Sequence, residues 1–270
     1  MKLLAAALFF ITSFTLYAQQ QPVLKNRRGI VILPQQGELC LGLSTNPFFT
    51  YFGNMFNNSP SNNAPATAFA TPNQMIFAKY MKTNELAYRA SFRIGVNNNN
   101  LTYNVMDLSP GAPANAVVSD VQKQRNTVFG ISFGLEKRRG STRLQGYYGV
   151  ECFILYNSGT NFKFNYGNKL EYLDTGSSRV TRIKSSSTFS VGVRAFAGVE
   201  YFIAPKISLG AELGYGPSFN FRSSSQQTTE QYNFSTASST TTDAALSPKS
   251  TGFSLDTDNY NGIIKLLFYF

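Results

Sequence analysis

Period-two alternation of apolar with small or polar residues, three tight turns alternating with four long polar connections, and an aromatic final segment predict an all-β chain. Together they predict a transmembrane eight-stranded antiparallel up-and-down β-barrel, with short periplasmic turns at one end and four long extracellular loops at the other.

The chain opens with Lys2, the apolar run Leu3 to Ile11 and "LYA" before Gln19, the pattern of a secretory signal peptide cut after Ala18. The residue directly after the cut is Gln19 and not a cysteine, so a lipid anchor is not expected. Residues 19–36 then read as a periplasmic N-terminal arm and 37–270 as the barrel, a length ordinary for one domain. Past the leader no stretch approaches the roughly 18 consecutive apolar residues of a membrane helix.

"TFSVGVRAFAGVEYF" puts Phe189, Val191, Val193, Ala195, Ala197, Val199 and Tyr201 on one face and Ser190, Gly192, Arg194, Gly198 and Glu200 on the other, with Phe196 the bulky exception. "ISLGAELGYG" repeats the pattern after the turn "IAPK". Gln74 to Lys82 and Leu86 to Val96 flank "TNE"; Val128 to Lys137 and Thr142 to Tyr156 flank "RRGS". Glu38 to Ser44 and Gly262 to Phe270 complete eight strands. The long connections run from Asn46 to Pro72, Asn97 to Asn126, Asn157 to Ser187 and Arg222 to Asn259. Most connections in a compact soluble domain are short, whereas outer-membrane barrels alternate short turns with long loops.

The last strand must close on the first, because an open sheet edge is not tolerated in hydrocarbon. By parity Phe268, Leu266 and Ile264 face lipid, while Tyr269, Leu267 and Lys265 face inward. Tyr80, Tyr88, Tyr201, Phe202, Tyr269 and Phe270 fall beside the short-turn ends and Tyr156, Tyr215 and Tyr260 near the loop ends, as two aromatic belts would.

In this layout, from Glu38 to Phe270, the chain resembles the small eight-stranded outer-membrane barrels of the OmpX and OmpA-transmembrane type, with the Asn-, Tyr- and Phe-rich flavour of the Bacteroidota barrel family. The resemblance implies the outer membrane of a Gram-negative bacterium, lipid and lipopolysaccharide as surroundings, and the barrel assembly machinery as a partner during biogenesis. A terminal strand ending in Phe270, with Phe268, Leu266 and Ile264, resembles the signal which that machinery reads. No family-specific binding motif accompanies it, so the resemblance carries a fold and not an activity.

The inward face should hold Lys79, Arg89, Arg93, Arg194 and Lys265 against Glu38, Glu136, Glu151, Glu200 and Glu212. Eight strands leave an interior just wide enough for side chains, and unpaired charges there are costly, so an ion-paired, plugged interior without a wide pore is expected. Parity turns Cys40 inward on the first strand and Cys152 outward on the fifth, on opposite sides, which predicts free thiols.

The sequence contains no histidine. Catalytic triads and dyads usually need an imidazole base, so no enzyme activity and no catalytic residue are expected; Glu151, Glu200 and Glu212 read as ion-pair partners. There is no CxxC or ligand cluster, and Asp256 and Asp258 lack the rest of a calcium loop, so no metal site and no cofactor are expected. Lys and Arg outnumber Asp and Glu by 24 to 14, a net charge of +10 that becomes +9 once Lys2 leaves. The cations are spread along the chain, which favours a solvated surface or anionic lipid and lipopolysaccharide over nucleic acid.

Two segments stand out as interaction surfaces: Phe48, Phe49, Tyr51, Phe52, Met55 and Phe56 just beyond the first strand, and "GIVIL" in the arm, read as a linker or as a strand donated to a partner's sheet edge. The Ser/Thr-rich segment 223–250 is polar low complexity, disordered if isolated. The functional expectation is a non-enzymatic barrel serving as an accessory or scaffold subunit of a larger envelope complex, such as secretion or outer-membrane assembly machinery. A stand-alone surface barrel for adhesion or defence is the nearest rival, followed by a narrow channel. A soluble lipocalin-like barrel would put its apolar face inside, whereas here the Gly- and Ser-rich face suits a crowded interior.

Overall fold

The computed structural model describes residues 23–45, 76–173, 176–257 and 263–270. The leader, residues 19–22 of the arm, Tyr260, and the cluster Phe48, Phe49, Tyr51, Phe52, Met55 and Phe56 lie outside them. The described chain is all-β apart from one 3-10 turn, Leu170–Tyr172. No helix among the described residues is long and apolar enough to cross a membrane.

Thirteen strands make one antiparallel sheet: β1 (Leu39–Ser44), β2 (Ile76–Met81), β3 (Leu86–Met106), β4 (Val117–Arg139), β5 (Leu144–Asn157), β6 (Asn161–Asn165), β7 (Ser178–Lys184), β8 (Thr188–Ala204), β9 (Ile207–Arg222), β10 (Ser225–Asn233), β11 (Ser238–Ser247), β12 (Ser250–Thr257) and β13 (Ile263–Tyr269). Pairings β1–β2, β2–β3, β3–β4, β4–β5, β5–β8, β8–β9, β9–β13 and β13–β1 return to their starting point, so these strands form a closed circuit. The seam joins the chain's two ends: Cys40 stands opposite Tyr269 and Leu43 opposite Leu266, and Leu39 and Phe270 exchange backbone hydrogen bonds of 2.8 and 2.9 Å.

The sequence pattern foresees eight strands, and the other five lie where polar loops were expected. β3 and β4 run to 21 and 23 residues, and their register holds from Leu86 opposite Lys137 to Met106 opposite Val117. The segment 97–126 is therefore mostly a ladder. Four successive asparagines disfavour a strand, yet beyond them Thr102, Val105 and Met106 stand opposite Val121, Val118 and Val117 and carry the pairing on. β6, β7, β10 and β11 then add in that order to the free edge of β4, and β12 pairs with the far half of β9. The Ser/Thr-rich segment is the β10–β11 hairpin. Its alternation is polar on both faces, so hydrophobic period carries no sign of it.

The closed circuit is inside out relative to a soluble protein. On β4, Phe133 is 60% exposed while Glu136 is 0% exposed. On β9, Leu213 and Tyr215 are exposed and Ser208 and Glu212 buried. Cys40 is buried and Cys152 exposed, both as free thiols. Phe202 and Tyr269, expected in an aromatic belt, are buried instead: both occupy inward parity, where Tyr80, Tyr88, Tyr201 and Phe270 do not.

The arm is neither a free linker nor an exposed strand. It doubles back at the Lys25–Val31 bridge and lays Ile32, 2% exposed, against Met81, Ala87, Phe202, Leu267 and Tyr269 at the short-turn end of the circuit. Lys206 fastens it: its backbone N–H donates to Ile32 O at 3.1 Å, and its ammonium donates to Leu33 O at 2.8 Å and Glu38 Oε1 at 2.5 Å. That residue follows Pro205 in the β8–β9 turn at φ 63, a left-handed conformation that a lysine rarely adopts. Glu38, expected in the interior, is thus half-buried at the rim.

Candidate functional site

Two features stand above the fold: the charged interior of the circuit, and the raised sheet built on β4.

In the interior, six buried cations (Lys79, Arg89, Arg93, Arg138, Arg194 and Lys265) face four buried carboxylates (Glu136, Glu151, Glu200 and Glu212). Two of the pairs, Lys79–Glu200 and Arg89–Glu212, join strands opposite one another in the circuit, and the others join strands one or two places apart or lie within one strand. Near the arm, the Lys79 ammonium lies 2.8 Å from Glu136 and 3.4 Å from Glu200, and Arg138 3.0 Å from Glu200. Further in, Arg89 reaches Glu212 at 2.9 Å and Glu151 at 3.0 Å, Arg194 reaches Glu151 at 2.8 Å and Glu212 at 2.7 Å, and Lys265 reaches Glu212 at 2.9 Å. Arg89 to Glu136, at 3.6 Å, links the two groups.

Neutral groups complete the network. Tyr269 donates to Glu200 at 2.7 Å and accepts from Arg138 at 2.6 Å, and Ser208 donates to Glu200 at 2.5 Å. Arg138 also donates to Gln145 at 3.1 Å. Parity marks Arg138, two residues beyond Glu136, as inward, but it lies one residue past the strand end read from sequence and so escapes that reading. The guanidinium nitrogens of Arg93 have no hydrogen-bond partner among the described residues.

Small residues make room for these chains. Gly149 stands across from Phe196, and a Cβ there would come within 2.6 Å of the ring. At Gly214 a Cβ would fall on the Arg194 guanidinium. Phe196 then lies beneath Arg89, 3.9 Å from ring centre to guanidinium carbon, a cation–π contact. Each of the four buried carboxylates is engaged by at least one buried cation.

The raised sheet comprises the outer halves of β3 and β4 with β6, β7, β10 and β11. Its inner face has a small core of its own. Phe162, Phe164 and Tyr166 stack along β6 with ring centres 6.4 and 6.3 Å apart, and Arg179 of β7 covers Tyr166 at 4.4 Å. Arg179 also bonds Glu230 of β10 at 2.6 Å and Asn168 O at 2.8 Å. Buried Asn168 bridges to the tip of the β3–β4 hairpin, accepting from Leu108 N–H at 2.8 Å and donating to Met106 O at 2.7 Å. Burial raises the Tyr166 phenol above its ordinary pKa, against the opposing pull of Arg179, and its hydroxyl donates to Val180 O at 2.7 Å. These contacts hold the sheet as a built platform. Among the described residues, its two outermost strands, β11 and the far half of β3, each have an edge with no strand paired to it.

The residues expected to form an assembly signal fall on the outer side of the seam, with Phe268 and Phe270 exposed and Ile264 and Leu266 half-buried. No family model matches the sequence, and no characterised protein matches it significantly.

Proposed function

We propose that the closed circuit is a transmembrane eight-stranded β-barrel of a Gram-negative outer membrane, and that the protein is a non-enzymatic accessory or scaffold subunit of a larger envelope complex. One observation carries the membrane reading: charged side chains are buried inside while the outer wall is apolar and exposed. Along β9 the outward residues run from Leu209 to Phe221, about 40 Å of strand at ~3.3 Å per residue. Tilted at about 40°, that is roughly 30 Å of height, near the ~25 Å apolar band of such barrels. A lipocalin-like binding barrel needs the opposite polarity.

The interior argues against conduction and catalysis. Its carboxylates are consumed by ion pairs, and Ile32 with its neighbours closes the short-turn end. The scaffold role draws on the raised sheet: a platform with its own packing and two edges open among the described residues exceeds what a loop needs to cap a barrel, and open edges accept partner strands. A stand-alone adhesive or defensive surface protein is the second reading, favoured by the exposed Ser/Thr-rich β11.

Purification of the native protein from membranes in mild detergent, with mass spectrometry of what accompanies it, separates the two. Stoichiometric protein companions are expected. A monomer carrying only lipid would overturn the subunit reading and favour the stand-alone one.

A further inference from the structure

The outer face of the raised sheet collects five cations that the sequence scatters over sixty residues. Lys123 of β4 stands directly opposite Lys163 of β6, and Lys163 directly opposite Arg182 of β7. Opposed residues share a face, as do residues two apart on a strand, so Arg125 and Lys184 extend the same row. All five are exposed. None makes an ion pair among the described residues, where the charged pairs outside the circuit interior involve Lys169, Arg179 and Lys206. Like charges set directly across a ladder destabilise it. Three in a row across adjacent strands are a strained arrangement until an anion neutralises them.

Their position selects the anion. On β4 the alternate residues Leu135, Phe133, Ile131 and Phe129 line the apolar outer wall, and the same parity continues through Thr127 to Arg125 and Lys123. The β3–β4 register has no break in this stretch, so the cations stand on that very face, just past its apolar edge. Arg125 is four residues beyond Phe129, roughly 13 Å of strand and about 10 Å of height at barrel tilt. That is the level at which phosphates of the outer leaflet begin. Long Lys and Arg chains reach back along apolar surface to place their charges there, and guanidinium groups bind phosphate oxygens in pairs.

We propose that Lys123, Arg125, Lys163, Arg182 and Lys184 form a binding site for the phosphate groups of anionic outer-leaflet lipid of the lipopolysaccharide type. The site rests on the membrane-barrel reading. It would hold the raised sheet at a fixed angle to the membrane, presenting the platform's open edges to partners in one orientation.

The test uses the full protein in neutral phosphatidylcholine liposomes, first scored for flotation, then for thermal unfolding with increasing diphosphoryl lipid A or its dephosphorylated form. Stabilisation by the diphosphoryl form alone is expected. In Lys123→Gln/Lys163→Gln/Arg182→Gln it should need roughly a hundredfold more lipid, at about fivefold per cation removed. The charge-keeping Lys123→Arg/Lys163→Arg/Arg182→Lys should retain it. If the Gln variant does not fold, the phosphate dependence of the wild type decides. Flotation with equal stabilisation by both lipids overturns this site and leaves the barrel reading standing. Equal stabilisation by soluble polyglutamate assigns the face to an acidic partner and overturns the lipid assignment. Failure to float removes the barrel reading and this proposal with it.

Discussion

Arg89 of β3 and Glu212 of β9 meet through paired hydrogen bonds of 2.9 and 3.1 Å, although 123 residues separate them in the chain. Their strands stand four places apart in the eight-strand circuit, so the pair spans the interior from wall to wall. Arg194 and Lys265 converge on the same carboxylate. Glu212 is therefore the group whose removal strands the most charge.

Glu212→Gln leaves three buried cations short of a partner and should destabilise the folded protein by about 3–5 kcal/mol. Denaturant midpoints in detergent micelles measure this. Adding Lys265→Met should recover part of the loss, because a stranded cation is removed with its carboxylate. Wild-type stability in the single variant would show that the network does not hold the fold.

Arg93 and Arg89 lie four residues apart on one face of β3, yet only Arg89 is engaged by carboxylates. Arg89→Met should cost about 3–5 kcal/mol, whereas Arg93→Met should be neutral or stabilising, since it removes a buried charge with no counter-ion. Equal losses in the same unfolding assay would contradict this ranking.

Cys152 sits between Val150 and Ile154 on the outer wall, and Cys40 is sealed under the arm. In liposomes both should resist a charged maleimide, Cys152 because lipid covers it and Cys40 because protein does. Both should react after unfolding. Rapid labelling of Cys152 in the folded, liposome-bound protein would place that wall in water.

Ile32→Ala removes the arm's buried anchor, a change worth about 2–5 kcal/mol at a fully packed site. Amide exchange over residues 24–33 should rise to that of a free chain while the circuit strands stay protected. Planar-bilayer recordings should show no steady conductance with or without the substitution, because the ion-pair network lies beyond the arm. A steady open level would favour the narrow channel.

Period two made the circuit strands legible, because each sets an apolar face against a small or polar one, and that contrast is what a wall between two environments imposes. The same parity placed nine of the interior's ten charged residues. It failed at Glu38, where the strand gives way to the turn and Lys206 offers a closer partner, and at Arg138, just past the strand end as read. The raised sheet was illegible for a different reason. Ladder hydrogen bonds hold strands such as Ser238–Ser247, whose first six residues are polar on both faces and whose apolar residues Ala244, Ala245 and Leu246 are consecutive, so no period-two trace is left.

By itself, then, the sequence determined which residues face in and which face out, since side-chain alternation is a local property of an extended backbone. Only the tertiary structure decided that β6, β7, β10 and β11 build outward from β4, that Ile32 packs against one end of the circuit, and that Lys123, Lys163 and Arg182 stand side by side. Those are consequences of register between segments far apart in the chain, and register is fixed by pairing.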